Sequence, residues 1–324
     1  MTKKKIMVFI LILLAFAVSF ALLNKDRIFE KKNSDPYEIS VIYRSKSAES
    51  STTIKQGIDQ AARDLNAEVS FITLARDNDV QEQISLLQRE IKNGAKAIVI
   101  APVNSKDLKQ PISKAQKSVP VITMQSTVEG MKDLPYISCD NLQLGGALAK
   151  AVINNGISDN RIAILQNSMD CSNINQRYLG VTRQLNSAKS QVEYWNIPDD
   201  PQEAYDTAKG LLQSSSADTL IALDGATLEA AAKAERDLLK TGSKQVRIYG
   251  IGRTNTVVSL LDDRIINSIG VENEYNLGYL SIKTAINHIN KNYNTANTNI
   301  NFAIIDHENM YNSDNQRLLF PFVR

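Results

Sequence analysis

The sequence predicts an α/β protein with two lobes, each a doubly wound parallel sheet, joined by a multi-strand hinge and preceded by one N-terminal transmembrane helix. Short strand-like runs rich in Val and Ile alternate with amphipathic helical segments from Tyr37 onward. The alternation reaches a fourth strand and then starts again at Asn141. No low-complexity linker separates the two series, so we expect several chain crossings and a cleft between the lobes.

The first series contains four strands and three helices. Its third strand is wholly apolar, as expected of a strand that is buried on both faces of a parallel sheet. Gly94 is placed to end the preceding helix, because glycine readily adopts positive φ. In chain order the predicted elements are Glu38–Tyr43, Thr53–Asn66, Val69–Leu74, Val80–Asn93, Ala97–Ile100, Ser105–Lys117 and Val119–Thr123.

The second series begins with a helix and is longer. Its predicted helices are Asn141–Asn154, Ile174–Asn186, Gln202–Gln213, Thr227–Lys240 and Glu274–Asn290. Its predicted strands are Ile162–Leu165, Val192–Ile197, Thr219–Leu223, Val246–Tyr249, Asn267–Val271 and Ile300–Ile305. We expect residues 1–35 to precede the lobes, 36–138 with 272–298 to form the first lobe, and 139–271 with 299–324 to form the second.

The chain begins with Lys3 to Lys5, followed by an uncharged run of eighteen residues from Ile6 to Leu23. As a helix this run spans about 27 Å, close to the hydrocarbon thickness of a bilayer. Basic residues mark the cytoplasmic side, so the pattern predicts a single-pass anchor in the cell membrane, with the bulk of the chain extracytoplasmic. A cleaved signal peptide is the alternative, because Ser19-Phe20-Ala21 is a passable cleavage site.

The composition is that of an ordinary globular protein, with 43% hydrophobic and 22% charged residues. A formal net charge of +2 offers no basic surface for nucleic acid, so we expect no nucleic-acid partner. Two histidines and two cysteines supply little material for a zinc site or a Cys/His pair. We therefore expect no metal, no cofactor and no enzymatic activity. Cys139 and Cys171 could form a disulfide in an exported protein or remain unlinked thiols.

Six short segments carry a resemblance to a known family. They are Gly57–Ala62, Asn93–Pro102, Val119–Thr123, Cys139–Asn141 with Gly145-Gly146, Leu223–Ala226 and Glu272–Tyr279. In this order they resemble the type I periplasmic-binding-protein fold, particularly the ribose/galactose-type solute-binding proteins of sugar ABC transporters. The resemblance covers residues 37–306. LacI-type repressors share this fold, but the apolar run stands where their DNA-binding domain would be, so a repressor is disfavoured.

The resemblance implies a ligand site between the lobes. Sugar-binding members stack aromatic rings on the sugar and bind its hydroxyls with polar side chains. This chain departs from that pattern: Ser47, Ser50 and Ser51 stand where the Asn and the paired aromatics are expected, and Glu272 replaces a Gln at the second crossing. The candidate ligand-binding residues, rich in hydrogen-bonding groups and nearly devoid of rings, are Arg44, Ser45, Lys46, Ser47, Ser50, Gln125, Ser126, Asn175, Asp224, Arg253 and Glu272.

Three of these candidates are cationic, which raises the hypothesis of an anionic ligand such as a sugar acid or phosphate. They are Arg44, Lys46 and Arg253. Arg44 and Lys46 could equally be solvated charges of a polar loop.

Three other residues have competing roles. We expect Asp224 to serve the ligand rather than only cap a helix. Arg177 is expected to be a structural salt-bridge partner, and Trp195 to pack under the second lobe.

The predicted function is capture of a sugar or sugar-like small molecule in the cleft for ABC-type import, with an ABC permease as the partner. The alternative is a membrane-anchored sensor subunit that reports ligand to a sensor histidine kinase of a two-component system. The long apolar run and the eroded sugar signature favour this alternative. In both cases the membrane contact would be made through residues 6–23.

Overall fold

Two β-sheets form the framework of the molecule. The computed structural model describes residues 35–45, 48–156, 161–293 and 298–320. In chain order the strands in these ranges are β1 (Tyr37–Tyr43), β2 (Ala67–Thr73), β3 (Ala97–Ile100), β4 (Val121–Met124), β5 (Tyr136–Ser138), β6 (Arg161–Gln166), β7 (Gln191–Asn196), β8 (Thr219–Ala222), β9 (Arg247–Ile251), β10 (Ser268–Glu272), β11 (Thr298–Asn299) and β12 (Phe302–Asp306).

The first sheet has the strand order β11-β5-β4-β3-β1-β2, and its neighbouring strands are parallel. The second sheet has the order β12-β10-β9-β8-β6-β7. Its strands are also parallel, except that β12 pairs antiparallel with β10. The inner strands β3, β4 and β8 are buried along their whole length, which explains their apolar sequences.

Ten helices lie within the described residues and pack against these sheets. They are α1 (Ala48–Asp64), α2 (Val80–Lys92), α3 (Lys109–Ala115), α4 (Asn141–Asn154), α5 (Ser172–Ser187), α6 (Pro201–Ser214), α7 (Gly225–Leu239), α8 (Asn255–Asp262), α9 (Glu274–Ile289) and α10 (Ser313–Leu319). We define lobe 1 as the first sheet with α1, α2, α3 and α9, and lobe 2 as the second sheet with the remaining helices.

Glycines let α1 and α9 approach each other closely. A Cβ on Gly57 would stand 2.0 Å from the Tyr275 carbonyl oxygen, and one on Gly278 would stand 2.1 Å from that of Ile54. Neither helix could keep this distance with a larger residue, because the clash would be with backbone atoms. The contact fixes the start of α9, and with it the second chain crossing, against lobe 1.

Several predicted elements differ from the observed ones in length. Helix α1 begins five residues before the predicted Thr53, whereas α3 is shorter than predicted because residues 105–108 form turns instead. The sequence analysis also missed β5, α8, β11 and α10. These elements contain only 3, 8, 2 and 7 residues, too few for a clear periodic pattern.

Trp195 is 5% exposed and packs in the core of lobe 2, as predicted. Cys139 and Cys171 are both buried free thiols, so the unlinked alternative is confirmed. In the described ranges, no helix combines the length and the apolar character that a membrane crossing needs. The predicted anchor at residues 6–23 lies outside the described residues.

Candidate functional site

A cavity of about 670 Å³ lies between the two lobes. Its walls come from residues at the carboxyl ends of strands in both sheets, including Tyr43 at the end of β1, Gln125 after β4 and Arg253 after β9. Parallel α/β sheets place ligands at these strand ends, where helix N-termini and loop side chains converge. The cavity therefore lies where the sequence predicted the ligand site.

Six of the predicted residues line the cavity. They are Arg44, Ser45, Gln125, Asp224, Arg253 and Glu272. Lys46 and Ser47 lie outside the described residues, and the side chain of Ser50 is likewise not described. That the six residues contact a ligand remains a prediction, but the fold does bring them together from five separate segments.

Two predicted residues lie elsewhere. Asn175 is exposed and does not line the cavity, whereas Asn173 is 1% exposed and does. Helix α5 begins at Ser172, and two residues correspond to a rotation of about 200° around a helix, so Asn175 points away from the cleft. Asn173, two residues before Asn175, and Arg177, two residues after it, line the cavity instead.

Ser126 is fully buried and connects the lobes instead of lining the cavity. Its hydroxyl lies 3.1 Å from the Ser172 hydroxyl and accepts a hydrogen bond from the Ser172 backbone N–H at 2.9 Å. The Ser172 hydroxyl also accepts a hydrogen bond from the Thr127 N–H at 2.8 Å. The start of α5 is therefore fastened to the loop after β4.

A second group of contacts joins the lobes at the mouth of the cleft. The Asn78 side-chain amide donates to Ser168 Oγ at 2.8 Å and to Asp199 Oδ1 at 2.9 Å. The Ser105 N–H donates to the Asp170 carbonyl at 2.9 Å. These contacts hold the two lobes against each other with the cavity between them, and we refer to this as the closed arrangement.

Arg177 holds Glu272 in a fixed position. It is 4% exposed and donates from Nε to Asn141 Oδ1 at 2.8 Å, from Nη1 to the Leu223 carbonyl at 3.1 Å and from Nη2 to Glu272 Oε1 at 3.2 Å. This is the structural salt bridge that the sequence predicted for Arg177, and the guanidinium also lines the cavity.

Four buried polar atoms of cavity-lining residues have no hydrogen-bond partner in the described part of the chain. Three are acceptors: Gln125 Oε1, Asn173 Oδ1 and Glu272 Oε2. The fourth is a donor, Arg44 Nη1. A buried polar atom without a partner costs about 1–3 kcal/mol, so these atoms mark where a ligand would complete the structure.

Asp224 caps a helix, and both of its carboxylate oxygens accept hydrogen bonds in that role. It is the N-cap of α7, with Oδ1 accepting from the Thr227 N–H at 3.0 Å and Oδ2 from the Thr227 hydroxyl at 2.8 Å. The structure therefore gives specific support to the capping alternative, although Asp224 also lines the cavity.

Gln125 has a strained backbone that directs its side chain. Its φ is 59°, a left-handed conformation that is uncommon for Gln. Its carbonyl oxygen accepts hydrogen bonds from the Tyr136 hydroxyl at 2.7 Å and the Ser138 hydroxyl at 3.1 Å. Strain of this kind persists where the surrounding structure imposes it, often at binding sites.

Arg253 joins three separate parts of the chain. Its Nε donates to the Leu319 carbonyl in α10 at 2.8 Å, and its Nη1 donates to the Thr53 hydroxyl in α1 at 2.6 Å. The preceding Gly252 has a φ of 140°, and a Cβ there would stand 2.4 Å from the Gly225 Cα. Arg253 thus links lobe 2 to lobe 1 across the cleft.

The charges of the cavity walls weaken the anionic-ligand hypothesis. Among the described wall residues, the carboxyl groups belong to Asp77, Asp199, Asp200, Asp224, Glu229, Glu272 and Glu274, and the basic groups to Arg44, Arg177, Lys233 and Arg253. The acids outnumber the bases. Arg177 is also paired with Glu272, and Arg253 is engaged with Thr53.

Tyr43, Asn173 and Glu274 are among the wall residues that the sequence analysis missed. Burial raises the pKa of Glu274 to about 8, helped by the nearby charge of Glu272 and opposed by Arg253 and Arg177. Glu274 is therefore protonated at neutral pH. The sequence did contain a signal that could have identified Glu274 as a wall residue. It lies only two positions after Glu272, so two carboxyl groups stand close together at the predicted crossing.

Tyr43 is the last residue of β1 and is 4% exposed. Its ring stacks on Phe71 with the centroids 5.8 Å apart, and burial raises its pKa above the usual range. It supplies an aromatic surface in a cleft that the sequence indicated to be nearly devoid of rings.

Comparisons with known proteins agree with this geometry. The family described as periplasmic binding protein domain matches residues 39–292. The D-allose-binding periplasmic protein of Escherichia coli (strain K12) is 23% identical over 191 residues, which are 54% of this chain and 60% of that protein. The matched region therefore spans less than two thirds of that relative.

Solved structures share the fold at low sequence identity. A carbohydrate transporter solute-binding protein from Agrobacterium radiobacter, in complex with D-arabinose, has a TM-score of 0.81 and 21% identity, covering 88% of this chain and 99% of its own. An ABC transporter solute-binding protein from Agrobacterium vitis, with bound D-fucose, has a TM-score of 0.80 and 17% identity, and the match covers 87% of this chain and 100% of that protein. A chain of the XylFII–LytSN complex has a TM-score of 0.75 and 19% identity, and the match covers 84% of this chain and 98% of that one. These likenesses confirm the predicted two-lobe α/β fold.

Proposed function

We propose that this chain, which belongs to the periplasmic binding protein domain family, captures a sugar or sugar-like small molecule without an acidic group in the cleft between its lobes. Members of this family are binding proteins and not enzymes, so the prediction of no enzymatic activity is confirmed. The family resemblance stated from the sequence is confirmed as well.

The observation that carries the proposal is the set of unpartnered atoms in the cavity wall. Three buried acceptors and one buried donor have no hydrogen-bond partner among the described residues. A ligand that satisfies them must donate at least three hydrogen bonds and accept at least one. The hydroxyl groups of a sugar do both, whereas a phosphate or carboxylate would bring further acceptors to Gln125, Asn173 and Glu272. The sugar complexes of the structural neighbours agree with this choice.

A thermal-shift screen of the full-length chain against neutral pentoses and hexoses, sugar acids and sugar phosphates tests the proposal. A ligand at about 100 times its dissociation constant adds roughly 2.7 kcal/mol to the free energy of unfolding. We expect neutral sugars to give the hits. If only acids or phosphates stabilise the chain, or if no sugar does, the proposal is wrong.

We further propose ABC-type import as the use of the captured ligand, with the lobes outside the cytoplasm and residues 6–23 as a membrane anchor. Structural neighbours named as transporter components support import. Closure on the ligand would give a transporter a state to recognise, because each lobe contributes part of the cavity.

Sensing is the second candidate. Its support is the likeness to the XylFII–LytSN complex, together with the apolar run at residues 6–23. In this case the partner would be the ectodomain of a sensor histidine kinase. Neighbouring genes discriminate the two: permease and ATPase genes favour import, whereas kinase and response-regulator genes favour sensing.

A further inference from the structure

Glu272 stands at the end of β10, where the chain crosses back to lobe 1. It is 8% exposed and lines the cavity. One of its carboxylate oxygens, Oε1, accepts from Arg177. The other, Oε2, is buried without a hydrogen-bond donor from the described residues.

Arg177 cannot easily turn to cover this second oxygen. Its other nitrogens are held by Asn141 Oδ1 and by the Leu223 carbonyl, and the whole group is buried. Arg177 is therefore a positioning residue that fixes the orientation of the carboxylate. The free oxygen is left as a preformed acceptor in the cavity wall.

Two acidic residues, Glu272 and Glu274, lie at the crossing and line the cavity. Because burial beside Glu272 raises the pKa of Glu274 to about 8, that second carboxyl is neutral at pH 7. Arg253 also lines the cavity and its charge acts on Glu274, and it donates hydrogen bonds to Thr53 and to the Leu319 carbonyl. Over the described wall as a whole, carboxyl groups outnumber basic groups.

Building on the proposed function, we propose that Glu272 selects the ligand by its charge. A sugar with an amine where the ligand contacts Glu272 Oε2 is favoured over the same sugar with a hydroxyl there. A sugar acid is excluded. An ammonium N–H donated to Glu272 Oε2 is a hydrogen bond between two charged groups, roughly twice as strong as one between neutral groups. A ligand carboxylate at this place would set one buried anion against another.

Titration calorimetry of the full-length chain at pH 7 tests this inference with matched sugars. The probes are D-glucose, D-galactose and D-mannose, their 2-amino and 6-amino derivatives, and their uronic acids. For the neutral sugar that binds, we expect at least one amino derivative to bind about tenfold more tightly and the uronic acid to bind at least tenfold more weakly.

Two affinity ratios describe this selectivity, that of the amino derivative to the neutral sugar and that of the neutral sugar to the uronic acid. Glu272→Gln should reduce both ratios to within about threefold. The neutral sugar should still bind, because the amide keeps an acceptor but loses the charge. Glu308→Gln is the matched control. It removes the same charge from an exposed side chain outside the cavity wall. We expect this variant to keep the wild-type ratios.

Outcomes of these titrations separate the two proposals. If no sugar of any class binds the wild-type chain, the proposed function fails. If neutral sugars bind but no amino derivative binds more tightly, or the uronic acid is preferred, the proposed function stands and the role of Glu272 is refuted. Unchanged ratios in Glu272→Gln refute it too, provided that its melting curve shows a folded protein.

Discussion

Replacing Glu274 by Gln should remove much of the pH dependence of stability between pH 5 and pH 8. The pKa of Glu274 is raised from 4.5 to about 8, first by burial and then by the charge of Glu272. In the unfolded chain the carboxyl loses its proton near its ordinary pKa, whereas in the folded chain it keeps the proton until about pH 8. Between these values the folded state binds one more proton than the unfolded state.

The sign and size of the effect follow from this difference. The stabilisation from protonated Glu274 is fully present below about pH 4.5 and is lost as the pH rises toward the folded pKa of about 8. Each pH unit in this window should lower the free energy of unfolding by about 1.4 kcal/mol. Raising the pH from 5.5 to 7.5 should therefore cost wild-type protein about 3 kcal/mol from this group.

Urea unfolding at pH 5.5, 6.5 and 7.5, followed by circular dichroism, measures the effect. Gln has the shape of the protonated acid and cannot ionise, so Glu274→Gln should be markedly less pH-dependent and more stable than wild type at pH 7.5. Glu308→Gln, which changes an exposed side chain, is the control and should follow wild type. Parallel pH profiles for wild type and Glu274→Gln would falsify the burial argument.

Two further variants test the packing and the closed arrangement. Trp195→Ala should lower the free energy of unfolding by about 3–5 kcal/mol in a urea titration, because it empties part of the lobe 2 core, whereas the half-exposed Tyr194→Ala should cost less than 1 kcal/mol. Ser172→Ala removes the hydroxyl shared with Ser126 and the Thr127 N–H, so it should weaken sugar binding about fivefold in calorimetry with little change in melting temperature. Equal affinity for wild type and Ser172→Ala would show that this bridge does not support closure.

The alternation of apolar strands and amphipathic helices was enough to predict the two sheets. Val80–Lys92 and Ala97–Ile100 were found almost residue for residue, because Gly94 separates two clear patterns. β5 could not be predicted in this way. Its three residues form a strand only because β4 and β11 supply hydrogen bonds on either side.

The site was predicted less completely than the fold, for two physical reasons. Which side of α5 faces the cleft depends on where the helix begins, and Asn175 was predicted although Asn173 and Arg177 line the cavity instead. The state of Glu274 depends on its burial and on the charge of Glu272 beside it. Neither property can be read from the local sequence, because both arise when distant segments meet.

The left-handed backbone at Gln125 limits how this binding site can change. Few residue types other than Gly, Asn and Asp accept a φ of 59° without strain, and β-branched or bulky side chains are especially disfavoured there. Substitutions at this position would therefore disturb the loop before they altered ligand preference. Asn173 and Glu272 have ordinary backbone conformations. In a descendant of this protein, substitutions that change which ligand is preferred would therefore arise more easily at those two positions.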